Sequence, residues 1–369
     1  MVPVGWSKVS GALTLMLMFL VVLSVFSSGC ISGSGTQKTS TDTSSSGYLT
    51  VTDMSGNSIK IKEPVNKIVS LYGIATQVIY LFGVTQGKKV VGSTPLALHD
   101  GFIHLVDPGS EKRMVFVGSP RKANVETIEK LNPEVVFTAY WGDPRLNEQI
   151  ESLGIPVVVL NLESVKNFTK GVEIIGKILG EEKKASEIVS FYEGAVSFVT
   201  NRTSKLPGSK RPRVLLLEYS MKDKVFKAPG RDFFQNRLIE MSGGISVSAN
   251  LSGGWNVVDA EQVAKWDPDI IIVVSYWPKF PATKAKEEIL SDPAWKAVKA
   301  VEDGKVYAMP NDGESWDFGP KWVLGLYWMA KLFHPSLFSD LNVTAKADQL
   351  YSKFYGINPK EVKIVGDMP

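Results

Sequence analysis

Three dipeptides frame the chemistry open to this chain: Tyr72-Gly73, Tyr140-Trp141 and Tyr276-Trp277. Each follows a short apolar run and joins ring surface to a polar atom that can hydrogen-bond. Tyr219 stands in the same position after Val214 to Glu218, and Trp255 and Arg231 lie in glycine-rich stretches. The loop Asn311 to Gly319 adds Trp316 and Asp317. Rings supply contact area, and phenol and indole groups supply directed hydrogen bonds, which suits a flat or bulky ligand. Arg231 and the backbone amides at Gly73 are candidates for an anionic group, since a guanidinium and a helix N-terminus both favour negative charge. All of this is binding chemistry.

Catalytic patterns are missing. Cys30 is the only cysteine, so cluster-ligating thiols are not available. Gly253-Gly254 is followed by Trp255 rather than a nucleophile, and there is no phosphate-cradling Gly-x-x-x-x-Gly-Lys-Ser/Thr sequence. His99 and His104, with Asp100 and Asp107 nearby, have a spacing that holds a metal weakly at best, and the expected reading is a solvated loop. His334 precedes Pro335 and is expected to meet the last carbonyls of a helix. The sequence therefore predicts no enzyme, no bare-metal site and no cofactor of its own.

The ends explain where such a binder works. Lys8 precedes the uncharged apolar run Ala12 to Phe26, which stops at Ser27-Ser28-Gly29 and Cys30. The run is short for a membrane span and suits a secretory signal. Residues 1–30 are thus expected to be a signal peptide and Cys30 a lipidation site that anchors the chain to the outer face of the cell membrane. Residues 31–47, rich in Ser, Thr and Gly, read as a flexible tether. Sequons beginning at Asn167, Asn201, Asn250 and Asn342 suit an exported chain. A formal charge of +3 gives no electrostatic case for nucleic acid.

The candidate residues must be held by strands and helices in alternation. Lys67 to Leu71, Val90 to Gly92, Val135 to Tyr140 and Val157 to Leu160 read as strands, with helices at Ala75 to Phe82, Glu126 to Leu131 and Pro144 to Leu153. The rhythm returns in strands at Val214 to Glu218, Ile270 to Val274 and Val306 to Met309, with helices at Phe233 to Met241 and Trp322 to Phe333. Apolar strands separated by helices imply α/β lobes with parallel sheets covered on both faces. Ligands in such sheets lie beyond the carboxyl ends of the strands, where the aromatic dipeptides fall. Between the halves, Val165 to Arg202 reads as helix, interrupted at Gly180, and its second part would span roughly 33 Å. The expected organisation is an N-terminal lobe over 48–163, a connecting helical segment over 164–204 and a C-terminal lobe over 205–369.

One internal repeat supports that division. Val125-Glu126-Thr127-Ile128 leads through Asn132-Pro133-Glu134 to Val135, and Ala260-Glu261-Gln262-Val263 leads through Asp267-Pro268-Asp269 to Ile270. Proline disfavours helical geometry at the residue before it, so each unit is a short helix, a stop and a buried strand. A glutamate near each helix start also complements the helix dipole.

These units, with Asp53-x-x-Gly56, Gly118-Ser119-Pro120, Leu153-Gly154-Ile155-Pro156, Gly230-Arg231-Asp232-Phe233 and Gly243-Gly244, resemble the helical-backbone class of ABC solute-binding proteins. That class comprises the iron-siderophore, haem and cobalamin binding family, and the similarity runs from about Tyr48 to the C-terminus. The resemblance implies two Rossmann-like lobes joined by a long rigid helix, with the ligand in the cleft between them. It also implies docking on an ABC permease and its ATPase through Glu126 and Glu261, by a protein acting as a monomer. The expected ligand is a metal chelate or cofactor, such as a ferric siderophore, haem or a corrinoid. A molybdate or tungstate oxyanion and a surface adhesion module are the alternatives.

Overall fold

The computed structural model describes residues 47–83, 90–277 and 279–369. Cys30, the apolar run before it and most of the tether lie outside the described residues. Tyr48–Thr52 and Ser58–Lys62 form an antiparallel hairpin, closed by Asp53, whose carboxylate accepts from Ser55 N and Asn57 N. The first lobe is a wholly parallel sheet in the spatial order Val115–Phe116, Val90–Ser93, Ile68–Ser70, Val135–Ala139 and Val157–Leu160. Its central strands are buried from end to end, the signature of a sheet covered on both faces.

The second sheet is mixed. Arg213–Ser220, Ile270–Val274 and Val306–Ala308 pair in parallel, whereas Val225–Pro229 and Trp255–Val258 join antiparallel on the other side. The parallel core expected from sequence is present, and turn chemistry adds the two antiparallel strands to it. Ser220 to Val225 reverses within a few residues, with Lys224 at φ 53° and its N–H donating to Ser220 O at 2.7 Å. A reversal this tight can only join antiparallel strands.

The two repeat units are equivalent in detail. Asn124 and Asp259 cap their helices, accepting from Thr127 N at 2.9 Å and Gln262 N at 2.8 Å. Both helices stop at a left-handed residue before proline, Asn132 at φ 49° and Asp267 at φ 46°. The acid after each proline ties down the neighbouring strand: Glu134 accepts from Lys67 N, and Asp269 from Arg213 N. The repeat thus encodes a cap, a stop and a clamp. Glu126 and Glu261 take no part in these contacts and stand exposed on the first turn.

Val165–Leu179 and Glu182–Thr203 are helices broken at Gly180, which takes φ 69°. They are not a passive tie. One continuous apolar core joins Ile68 and Phe137 of the first sheet, Phe168, Tyr192 and Val199 of these helices, and Val214 and Ile272 of the second sheet. The helices close on each other at Gly176, where a Cβ would stand 2.4 Å from that of Ala185. A crossover packed into both lobes resists bending more than an extended strand does.

Candidate functional site

A cavity of about 490 Å³ opens between the lobes. The first lobe gives it Ile74, Leu96, Tyr140, Leu162 and Glu163, and the second gives Asp232, Phe233, Phe234, Gln235, Trp255, Tyr276, Phe318 and Trp322. The floor is Trp322, which packs edge-on against Phe168 at 5.7 Å, Tyr192 at 5.1 Å and Phe234 at 5.4 Å between ring centres. The connecting helices therefore support the base of the cleft directly.

The first wall is organised by Glu163. Its Oε1 accepts from the Tyr72 hydroxyl at 3.0 Å and from Trp141 Nε1 at 2.9 Å, and its Oε2 from the Tyr140 hydroxyl at 3.2 Å. Burial, then the Glu163 charge, push the Tyr72 hydroxyl far above its ordinary range, so it keeps the proton it donates to Glu163. The same causes raise Tyr140, helped across the cleft by the charge of Asp232. Three neutral donors thus fix one carboxylate on the wall.

The second wall depends on a backbone crossing. Gly230 donates to Gly254 O at 2.8 Å, and a Cβ at Gly230 would stand 1.8 Å from Ser252 O. Only glycine permits that approach, which sets Asp232 and Phe233 beside Trp255; the rings of Phe233 and Trp255 meet at 4.8 Å. Tyr276 stands edge-on to Phe318 at 5.1 Å and donates to the buried Asp317 at 2.6 Å. Asp317 also accepts from Gln235 Nε2 at 2.9 Å and from Ser315. Burial raises the Asp317 pKa, and these donors work against the rise.

Of the residues singled out from sequence, Tyr140, Trp255 and Tyr276 line the cavity, while Tyr72 and Trp141 act through Glu163. The others lie elsewhere. Trp316 is wholly buried and donates to Asp312 at 3.1 Å, and Asp317 sits behind Tyr276. Trp277 is exposed and bridges to Phe280. Arg231 is exposed, with Nε on Leu251 O at 3.4 Å. Gly73 has a packing role: a Cβ there would stand 2.7 Å from Leu96 Cδ2, so its smallness lets Leu96 reach the wall.

Glu163 and Asp232 were missed, and their positions carried the signal. Glu163 is three residues beyond the strand Val157–Leu160, and Asp232 sits between Arg231 and Phe233. In the segment holding His99 and His104, His99 is exposed as expected, His104 is partly buried, and the two aspartates are buried in structural roles. Asp100 caps the helix Gly101–Val106 and accepts from Gln77 at 2.8 Å, while Asp107 takes Tyr80 and Arg113. His334 sits 3.2 Å from Gly243 O.

Residues 68–312 match the model of the periplasmic binding protein family. The chain belongs to that family. This binding protein is 23% identical to the molybdate-binding protein MolA of Haemophilus influenzae, over 83% of its own length and 90% of MolA. It is 26% identical to the uncharacterized ABC transporter substrate-binding lipoprotein YvrC of Bacillus subtilis, over 79% and 87% of the two chains. A periplasmic solute binding protein of Veillonella parvula superposes with a TM-score of 0.73 at 26% identity, covering 85% of this chain and 94% of that one. The two-lobed α/β fold expected from sequence is the family's fold, and the chain is an extracytoplasmic solute-binding protein rather than an enzyme.

Proposed function

We propose that this protein is the solute-binding component of an ABC importer, anchored through Cys30, and that it captures a bulky, ring-bearing metal chelate or cofactor for a permease. The observation that carries this reading is the cavity of about 490 Å³ whose walls come from both lobes and hold seven aromatic rings, Tyr140 from the first lobe and six from the second. Seven rings around one cavity favour a ligand with broad faces over a small ion. The name of YvrC supports the transporter and lipoprotein parts of the reading. Glu126 and Glu261, exposed at matching places on the two lobes, are the proposed contacts for the permease.

A molybdate-type oxyanion is the second reading, favoured by the similarity to MolA. It suits this cleft less well. An oxyanion needs converging N–H groups or cations, whereas the cavity lining holds two carboxylates and no Lys, Arg or His. A thermal-shift screen of the purified protein against ferric siderophores, haem, corrinoids, molybdate and tungstate tests both. A ligand at a hundred times its Kd adds about 2.7 kcal/mol to stability. Stabilisation by a chelate supports the first reading, and stabilisation by the oxyanions alone replaces it with the second.

A further inference from the structure

We propose that the solute held in this cleft carries positive charge, recognised jointly by Glu163 of the first lobe and Asp232 of the second. This rests on the cleft being the binding site and goes beyond that reading by naming the ligand's charge.

Glu163 has three donors, all neutral: Tyr72, Tyr140 and Trp141. Such donors orient a carboxylate without cancelling its charge. Among the described residues, neither Glu163 nor Asp232 makes an ion pair. Nearby cations are engaged outside the lining: Arg121 lies 5.2 Å over the Trp141 ring, and Arg231 turns to the Leu251 carbonyl. The rest of the wall suits the same ligand, because the faces of Tyr140, Trp255 and Tyr276 attract a cation through the ring quadrupole.

A ring system bearing an amine, an amidine or a cationic metal centre is the class of ligand that fits these walls.

An anionic or neutral solute would strip water from both carboxylates and return nothing. A cation in the cleft is attracted to one carboxylate on each lobe.

The test uses two xanthene dyes of one skeleton and opposite charge, rhodamine 123 (a cation) and fluorescein (an anion). The full chain is placed in lipid nanodiscs, with empty nanodiscs as reference, and binding is read by fluorescence anisotropy. Rhodamine 123 is expected to bind and fluorescein to bind at least about tenfold more weakly, with Glu163→Gln and Asp232→Asn each costing the cation about tenfold. Equal binding of the two dyes, binding of neither, or wild-type affinity in both variants overturns the proposal. Trp255→Ala separates the two levels of the argument. If it abolishes binding that shows no charge preference, the cleft reading stands and the charge assignment falls; if it leaves dye binding intact, the cleft reading itself falls.

Discussion

Tyr276 donates its hydroxyl to the buried carboxylate of Asp317 at 2.6 Å, so a side chain outside the cavity fixes one that lines it. Burial, then the Asp317 charge, hold the Tyr276 hydroxyl well above its ordinary range, which keeps it a donor. Removing the hydroxyl leaves Asp317 buried with one donor fewer. Tyr276→Phe is expected to cost about 1–3 kcal/mol of stability while keeping the ring in the wall. Urea unfolding measures the cost, and an unchanged midpoint and slope would show that Ser315 and Gln235 suffice for Asp317.

The loop that yields Asp317 also builds a buried charge cluster between the lobes. Lys321 and Asp312, both inaccessible, pair at 2.9 Å, with Glu314 at 3.6 Å and the Phe102 ring of the first lobe under the ammonium. Burial, then the charge of Asp100, raise Glu314 well above its ordinary pKa, and burial also raises Asp100. A group whose folded pKa is raised favours the fold below its unfolded value of 4.5 and loses that contribution as pH rises through the folded value. Glu314→Gln removes the loss. The variant is therefore expected to gain on the wild type in melting temperature as pH rises from 4 to 8, with Asp312 still pairing Lys321. A gap independent of pH would show that the Glu314 carboxyl binds its proton equally well in the folded and unfolded chains.

Lys321 faces Asp312 and Glu314, with Asp100 adding its charge to the same cluster. Lys321→Met keeps much of the stem volume and deletes the charge, leaving buried carboxylates unpaired. The expected loss is about 3–5 kcal/mol. Chemical denaturation checks it, and a neutral or stabilising result would mean the carboxyls take up protons without strain.

Much of this arrangement was legible in the sequence because it is periodic. The strands Val157–Leu160 and Ile270–Val274 and the helix Trp322–Phe333 fall where apolar runs predict them. The Pro133 and Pro268 stops are local chemistry, readable from neighbours alone. What could not be read is long-range. Glu163 becomes the hub of a wall only when the ends of three strands meet, and Trp316 looks like a site residue until Gly325 brings its helix within 2.0 Å, measured from an added Cβ, of the Trp316 carbonyl. Aromatic type at a strand end identified the cleft but did not separate rings that face it from rings beneath it.

Docking can be separated from binding by charge reversal. Glu126 and Glu261 are exposed, and the Lys265 partner of Glu261 is exposed as well, so that pair adds little to stability. The double variant Glu126→Lys, Glu261→Lys is expected to abolish uptake in cells while its thermal shift with ligand matches the wild type. Equal loss of ligand binding would place these residues in the fold or the cleft instead.

Closure on the ligand should be small. The helices Val165–Leu179 and Glu182–Thr203 share one core with both sheets, and Tyr192 donates to the Pro320 carbonyl beneath the cavity floor. Swinging the lobes through a large angle would part Phe168, Tyr192 and Trp322, whose ring contacts lie at 4.7, 5.1 and 5.7 Å. Well-packed interiors switch between discrete arrangements and do not stretch. Small-angle scattering with and without saturating ligand is therefore expected to show nearly the same radius of gyration. A clear compaction would require the aromatic floor to come apart on binding, and Trp322 fluorescence should then change in step with it.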